Sequence, residues 1–439
     1  MIFRGIDVFD LNYEFSSDEF GILHTTEENL PVKGVLVRIL SLIRGVFLIL
    51  ITKRLKSEKI PREAILFFAS NDNEKKAFVK LNQLDKGSYI IGYENYANGF
   101  PLLKIYGLSL LFVPVILYHF VITRNRTKKL SFLYAFDSYC LSFAAIVLLP
   151  IYFNRLKPRK IFISNHTRPF QRLIMKLFKN QGLGYIQHAS FIDNMPSLNG
   201  FNYLLVDGSD SLVKLINSKS SGNCIYTIGS SQHDVFLNYS QCKQELQSVG
   251  VCVNNLDNLE DIKDILLFIK KKCPLLKVSL RPHPSDPRFV EMSNFSLLHD
   301  LNFSNSRKVE SVEFLKGIDI LIAGDSNIHL ESILLNIPSI YLDLKDNKKD
   351  LYGFLKYKML HIANSPAQII DILNTVNFKN LNSRELAKPF NSPINTLYQG
   401  KSTSLALKII NDDKRFIEDT FIRKIDINKN YIYVLKEQL

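Results

Sequence analysis

Two short segments of this 439-residue chain carry side chains suited to holding a polyanion. The first is Ser279-Leu-Arg-Pro-His-Pro-Ser285. An apolar run ends there, and Pro282 and Pro284 pre-set φ on either side of His283, so Arg281 and His283 leave the strand end on a stiff turn. A guanidinium is a planar fork that fits phosphate, and an imidazole adds a donor that can itself become cationic. The second segment, 319–342, reads as an apolar strand, the turn Gly324-Asp325-Ser326-Asn327, an amphipathic helix and another strand. Ser326 or Asn327 is a natural N-cap, and a helix N-terminus favours anions. Glu331 follows a turn later, where a carboxylate can grip the two hydroxyls of a ribose. The plainer reading makes it a solvated charge on a capped helix.

Groups suited to moving a proton lie earlier. Gly184-Tyr-Ile-Gln-His188-Ala-Ser-Phe-Ile-Asp193-Asn-Met-Pro196 is followed by Tyr203-Leu-Leu-Val-Asp207-Gly208. His188, Asp193 and Asp207 are therefore the candidates for a general base. A hydrogen-bonded, buried His188 is the bland alternative. Thr227-Ile-Gly229-Ser230-Ser231 combines a glycine that permits close approach with hydroxyls for phosphate, although an ordinary loop fits equally well. Asn165-His-Thr-Arg168 is similarly placed and similarly short. No metal site is expected: there is no Asp-x-Asp pair and no Cys/His cluster with zinc spacing.

These residues need strands to position them. Short β-rich runs at 64–69, 89–92, 160–164, 184–188 and 203–206 alternate with helical stretches, which predicts a parallel sheet of βαβ units. A second series follows, with strands at 224–228, 249–253, 277–280, 318–323 and 339–342 and helices at 259–271 and 328–335. The polar patch 209–223 marks the junction. The expected domains are 1–210 on the acceptor side, 211–400 on the donor side, and a tail of 401–439 packing back on the body. Ligands of open α/β sheets bind at the carboxyl ends of strands, where all four motifs fall.

The chain carries 55 Lys+Arg against 42 Asp+Glu, net +13. Residues 1–200 hold 26 of the former and 15 of the latter; residues 201–439 hold 29 and 27. The basic excess therefore belongs to the first half. It flanks three apolar stretches, 35–51, 105–122 and 133–153, with Lys53, Arg54, Lys56 and Lys59 after the first and Arg124, Arg126, Lys128 and Lys129 after the second. Buried helices of a large domain are one expectation. The other is helices dipping into an anionic membrane surface, and a true span is disfavoured because strands continue on both sides. Nucleic-acid binding would need basic residues interleaved with aromatics on one face, so no nucleic-acid partner is expected. Five scattered cysteines and a start without a secretory pattern predict reduced thiols in the cytoplasm.

The order Gln-His-Ala with a following proline, Arg-Pro-His-Pro, then Gly-Asp-Ser…Glu…Pro resembles bacterial surface-polysaccharide glycosyltransferases of the GT-B type. The His-Pro element with serine downstream resembles bacterial sialyltransferases and related CMP-sugar transferases, and also the CDP-glycerol glycerophosphotransferases. The Gly-Asp-Ser…Glu helix is similar to that of UDP-N-acetylglucosamine 2-epimerases. The likeness covers about 160–342. It implies an α/β fold of two Rossmann-like domains with parallel sheets facing a central cleft. It further implies inverting transfer of a sugar from a nucleotide-activated donor, CMP-sugar before UDP-sugar, to a glycan or lipid-linked acceptor of capsule or lipopolysaccharide. In that reading Arg281, His283 and Pro284 meet the donor phosphate. Asp325, Ser326 and Asn327 complete the anion site, with Gly229, Ser230 and Ser231 beside them, and Glu331 binds ribose. No cofactor is implied, since the nucleotide-sugar is a substrate. The chain would act in the cytoplasm, peripheral on the inner membrane face. Departures are visible: the acidic pair before a glycine is reduced to Asp207-Gly208, and the His-Gly of the CDP-glycerol enzymes is His188-Ala189.

Overall fold

The computed structural model of the chain describes residues 2–3, 6–7, 35–51, 60–92, 100–166, 169–178, 182–193, 195, 197–239, 245–255, 257–344, 350–376, 383–426 and 428–438. A short antiparallel pair, β1 (Ile2–Phe3) and β2 (Ile6–Asp7), precedes helix α1 (Val35–Ile51). Strands and helices then alternate: β3 (Ile65–Ala69), α2 (Asp72–Leu84) and β4 (Ser88–Gly92). Three helices follow, α3 (Leu102–Leu111), α4 (Val113–Ile122) and α5 (Arg126–Leu156). Next come β5 (Lys160–Ile163), α6 (Pro169–Phe178), β6 (Leu183–Ile186), β7 (Tyr203–Val206), α7 (Ser209–Asn217), β8 (Cys224–Thr227) and α8 (Asp234–Leu237).

The second series is β9 (Ser248–Val253), α9 (Leu259–Lys272), β10 (Lys277–Pro282), α10 (Phe289–Leu298), β11 (Asn302–Phe303), α11 (Ser311–Lys316), β12 (Ile320–Ala323), α12 (Ile328–Leu334), β13 (Ser339–Leu342), β14 (His361–Ala363), α13 (Pro366–Thr375) and α14 (Ser383–Leu386). The tail adds α15 (Ser402–Ile410), α16 (Lys414–Thr420), β15 (Phe421–Ile425) and β16 (Tyr431–Leu435).

The strands form two large sheets. The first runs β15-β16-β8-β7-β6-β5-β3-β4, parallel throughout except for the terminal β15–β16 pair. The second runs β11-β10-β9-β12-β13-β14 and is wholly parallel. These are two Rossmann-like domains, as the α/β pattern predicts. The strand assignment differs from the expectation in one place. The run at 224–228 was expected to open the second domain, yet β8 pairs with β7 on one side and β16 on the other. The first sheet therefore extends past the expected boundary at 210/211. A four-residue apolar strand carries no label for its sheet; packing against neighbours decides that.

Alternation along the strands builds two layers of core. Leu66 and Phe68 of β3 and Ile161 and Ile163 of β5 share one buried cluster with Phe136, Tyr139, Cys140 and Phe143 of α5. Ile65, Phe67 and Phe162 point the other way, onto Phe78 of α2 and Ile409 of α15. Each such side chain contributes about 1.5–3 kcal/mol on burial. The window Phe136–Leu156 is long and apolar enough to cross a membrane, but two-thirds of it is buried against the sheet and its neighbours. It is a core helix. The basic run at 53, 54, 56 and 59 lies outside the described residues.

The tail is held by polar contacts as well as by apolar ones. Asp234 receives the Ser402 and Thr403 backbone N–H groups at 2.9 Å each and the Thr403 hydroxyl at 2.7 Å, capping α15. Asn430 reaches back to the Asn223 amide at 3.1 Å, which fixes β16 beside β8. Removing the Asp234 acceptor leaves three buried donors without partners. Asp234→Ala is accordingly expected to cost about 2 kcal/mol, read as a lowered urea midpoint at unchanged slope.

Candidate functional site

Strand order places the candidate sites. In the second sheet the order reverses between β9 and β12, and in the first between β3 and β5. The loops on either side of such a reversal part, leaving a crevice at the carboxyl ends of the strands.

At the first reversal, the turn after β3 and the start of α2 hold a buried polar knot. Glu74 accepts from the Ser70 N–H (2.7 Å), the Ser70 hydroxyl (2.8 Å), the Asn71 amide (3.0 Å) and the Gln171 amide of α6 (2.9 Å). Across the reversal, after β5, stands His166. Burial, His188 and Arg172 push its pKa down to about 3, so the ring is neutral, and its Nε2 is buried without a hydrogen bond. His188 stands next, after β6. Its Nδ1 bonds the Ser164 carbonyl. A carbonyl oxygen only accepts, so Nδ1 carries the proton and Nε2 of the neutral ring holds the lone pair. Gln232, from the loop after β8, donates to the His188 carbonyl at 3.2 Å and steadies that loop.

At the second reversal, three loops are tied together. Arg288 pairs with Asp286 (2.8 Å) and donates to the carbonyls of Asp257 (2.8 Å) and Asn254 (2.7 Å); the Asn254 amide donates to the Asp325 carbonyl (3.2 Å). Gly324 lets the β12 loop come this close, since a Cβ there would fall 2.5 Å from Asp257 Oδ1. His329 is saturated, by Ser339 Oγ at 2.6 Å and the Gly324 carbonyl at 2.8 Å, and so supports the turn from beneath. Glu331, on α12, has a buried Oε2 with no hydrogen bond, and burial raises its pKa despite the Ser311 hydroxyl and the charges of Lys76 and Arg281.

The two edges meet. Ser190, two residues after His188, donates to Asn327 Oδ1 at 2.9 Å. Lys76 of α2, in the first domain, acts electrostatically on Glu331 in the second. The loop that carries His188 and Ser190 is thus joined to the turn before α12.

Several expected site residues stand elsewhere or serve other ends. Asp207 is buried, which raises its pKa well above the carboxylate range; its carbonyl receives the Gly229 and Ser392 N–H groups at 3.0 and 2.8 Å. It lies under the segment 389–392 instead of opening on the cleft. Asp193 is exposed, close enough to Tyr357 to raise that phenol. Gly229 takes φ +76°, and a Cβ there would meet Asn391, Ser402 and Pro393 at 2.6–2.7 Å. Ser231 bonds the Ala77 carbonyl at 3.2 Å, and Ser230 is buried beside it. These three residues pack under the returning chain, in the first domain. Arg281 is also spoken for: it donates to Ser304 Oγ and the Val309 carbonyl, each at 2.8 Å, over the Phe314 ring. It clamps the 304–309 segment. His283 stays exposed with Nδ1 held by Ser285 Oγ at 2.8 Å, and Pro284 offers its carbonyl to Arg307 at 2.9 Å. Asn327 occupies the N-cap position of α12, but its side chain spans the cleft and makes no capping bond.

Ser70, Glu74 and Gln171 were missed as site residues, whereas His166 falls in the Asn165-His-Thr-Arg168 motif read from the sequence. Their signal was available: Ser70 to Glu74 directly follow a β-rich run, as Asp325 to Asn327 do. Gln171, inside a helix, carried none.

No protein-family model matches the sequence, and no curated protein matches it. Solved structures do resemble it. UDP-GlcNAc 2-epimerase from Neisseria meningitidis bound to UDP-GlcNAc aligns with a TM-score of 0.51 at 11% identity, over 79% of this chain and 99% of that one. A Listeria monocytogenes protein assigned as a UDP-N-acetylglucosamine 2-epimerase gives 0.51 at 9% identity, over 80% and 96%. The S. aureus MnaA–UDP co-structure gives 0.50 at 12%, over 81% and 98%. At such identities the likeness establishes the fold, which is GT-B.

The buried histidines give this architecture an acid limit. Burial lowers the His329 pKa to about 4 from an ordinary 6.5, so between those values the unfolded chain binds the extra proton and stability falls as pH drops. His233 and His166 share this direction, whereas Asp207 and Glu331, raised by burial, oppose it. A difference measurement isolates one group. His329→Gln is expected to flatten the unfolding free energy against pH by up to about 1.4 kcal/mol per unit in this interval, as read from urea titrations.

Proposed function

We propose that the chain is an inverting glycosyltransferase that takes a nucleotide-sugar in the second domain and an acceptor hydroxyl from the first. The observation that carries this reading is the enforced tautomer of His188 at the cleft edge. Its Nδ1 proton is committed to Ser164, so Nε2 is set to accept a proton, and its loop is hydrogen-bonded to Asn327 on the opposite wall.

The acceptor O–H passes its proton to His188 Nε2 as the oxygen bonds to the anomeric carbon. The bond from that carbon to the phosphate oxygen breaks on the far side, and the nucleotide leaves with the electron pair. His283 and the Ser326–Asn327 turn face the departing phosphate, where preorganised donors count most. The unpartnered Glu331 Oε2 accepts from a ribose hydroxyl. His166 and the Glu74 knot shape the acceptor side and keep His188 in place. The Arg-Pro-His-Pro pattern favours a CMP-sugar, with UDP-sugars the next donors to try; a CDP-glycerol donor would instead transfer glycerol phosphate, the acceptor oxygen bonding to phosphorus as CMP leaves. The acceptor is a growing capsular or lipopolysaccharide glycan or a lipid-linked sugar, reached from the cytoplasm. No bound metal or other cofactor takes part in this reading.

A second reading keeps the cleft and drops the acceptor. Solved structures of similar fold are named as UDP-GlcNAc 2-epimerases, which favours interconversion of a sugar nucleotide. The two part cleanly in one assay, in which purified protein is incubated with CMP-, UDP-, GDP- and CDP-activated donors with and without glycan acceptors. Acceptor-dependent nucleotide release is expected, falling about 10²–10⁴-fold in kcat for His188→Ala. Glu331→Gln should act mainly on donor KM. Epimerised nucleotide-sugar appearing without acceptor would establish the second reading, and full activity of His188→Ala would remove the base assignment.

A further inference from the structure

The helices of the first domain bury one side and expose an apolar stripe on the other. On α1, Leu42 is buried and Arg38 turns inward to Asp137 of α5 at 3.4 Å, while Leu36 (70% exposed), Leu40 and Phe47 (58%) face outward with Arg44 among them. The spacing is three and four residues, a helical stripe. Helices α3 and α4 continue the theme across a 48° bend. Ile105, Ser109 and Ile116 point inward; Leu111 (70%), Tyr118 (63%), Val121 (71%) and Ile122 point outward. Lys104 and Arg124 are exposed at the two ends of this second stripe.

The stripes belong to one layer. Helix α1 packs on α3 and α5, and both α3 and α4 pack on α5. At the α1–α3 crossing the Tyr106 ring packs onto Gly45, where a Cβ would fall 2.3 Å from it. With their inner faces on α5 and on each other, the three helices form one group whose outer faces carry these exposed side chains. Exposed apolar side chains of this size, clustered on neighbouring helices, mark a contact surface.

Charge identifies the occupant. Residues 35–57 and 95–136 contain no Asp or Glu, while Arg44, Lys104 and Arg124 stand exposed within and around the apolar stripes. An amphipathic tyrosine lies among them at Tyr118. Apolar residues ringed by cations, with no carboxylate, suit the boundary between acyl chains and anionic head groups. A protein partner would be expected to draw on charges of both signs. We infer that α1, α3 and α4 form a monotopic docking face for an anionic lipid bilayer, with Leu36, Phe47, Leu111, Tyr118 and Val121 entering the interface and the basic residues at head-group level. Docking of this kind does not depend on which reaction the cleft performs.

The test is flotation of the full chain with phosphatidylcholine vesicles with and without phosphatidylglycerol, at low and high salt. Binding is expected to the anionic vesicles and to weaken with salt. Arg44→Glu should lower partitioning about 5-fold or more. Leu111→Glu/Val121→Glu should lower it at least about 10-fold with unchanged thermal unfolding, since both side chains are already exposed. No vesicle binding by the parent chain would overturn the inference, as would equal binding by the double variant. So would resistance to alkaline carbonate extraction, which indicates a span, or a dimer that Leu111→Glu dissociates, which indicates a subunit interface.

Discussion

In a parallel sheet every strand leaves at the same edge, and the chain must cross back over a face before it can re-enter. All polar turns that follow strands are thereby gathered on one rim, while the rest of each strand is sealed between helices. Both large sheets of this protein obey that constraint apart from β15, and each reverses its strand order once, between β3 and β5 and between β9 and β12. The candidate site follows from it. Glu74, His166 and His188 on one rim and Asn254, Asp325, Asn327 and Glu331 on the other are far apart in the chain, and adjacent because their strands end together.

Buried polar groups on those rims sort by whether the protein itself satisfies them. Asp234 and His329 have their partners supplied by neighbouring backbone and hydroxyls. An unsatisfied buried group costs about 1–3 kcal/mol, so filling these valences holds loops in place. His166 Nε2 and Glu331 Oε2 are buried without a hydrogen bond, as are Ser164 Oγ and Gln171 Oε1 beside the first of them. Such vacancies cost stability and are tolerated where a ligand supplies the missing partner. Arg281 shows the reverse. A guanidinium at the expected place for phosphate spends its donors on Ser304 and Val309, so a residue type suited to a ligand is used to brace the fold.

The basic excess of the first half has a separate place. Part of it accompanies α1, α3 and α4, which pack on α5 and on each other and expose leucine, valine and tyrosine on the other side. At the strand ends the cations are individually placed: Arg288 is bonded to Asp286 and to the Asn254 and Asp257 carbonyls, and Lys76 acts on Glu331. Bulk charge and site chemistry thus occupy different surfaces of one chain.

Local pattern determined the alternation of strand and helix, the apolar helices, and the positions of the motifs just after strands, because two- and 3.6-residue periodicity and turn residues are local properties. His188 and the Ser326–Asn327 turn were legible for that reason. Sheet membership was not: Cys224-Ile-Tyr-Thr227 joined the first sheet because β7 and β16 flank it, and no residue within it encodes those neighbours. Nor did the sequence reveal that Asp207 and Gly229 pack under the returning chain, that Arg281 is already bonded, or that Gln171 from a helix completes the Glu74 knot. Those roles rest on contacts between segments up to 185 residues apart, such as Asp207 with Ser392, and only the packed tertiary structure brings such groups within bonding distance.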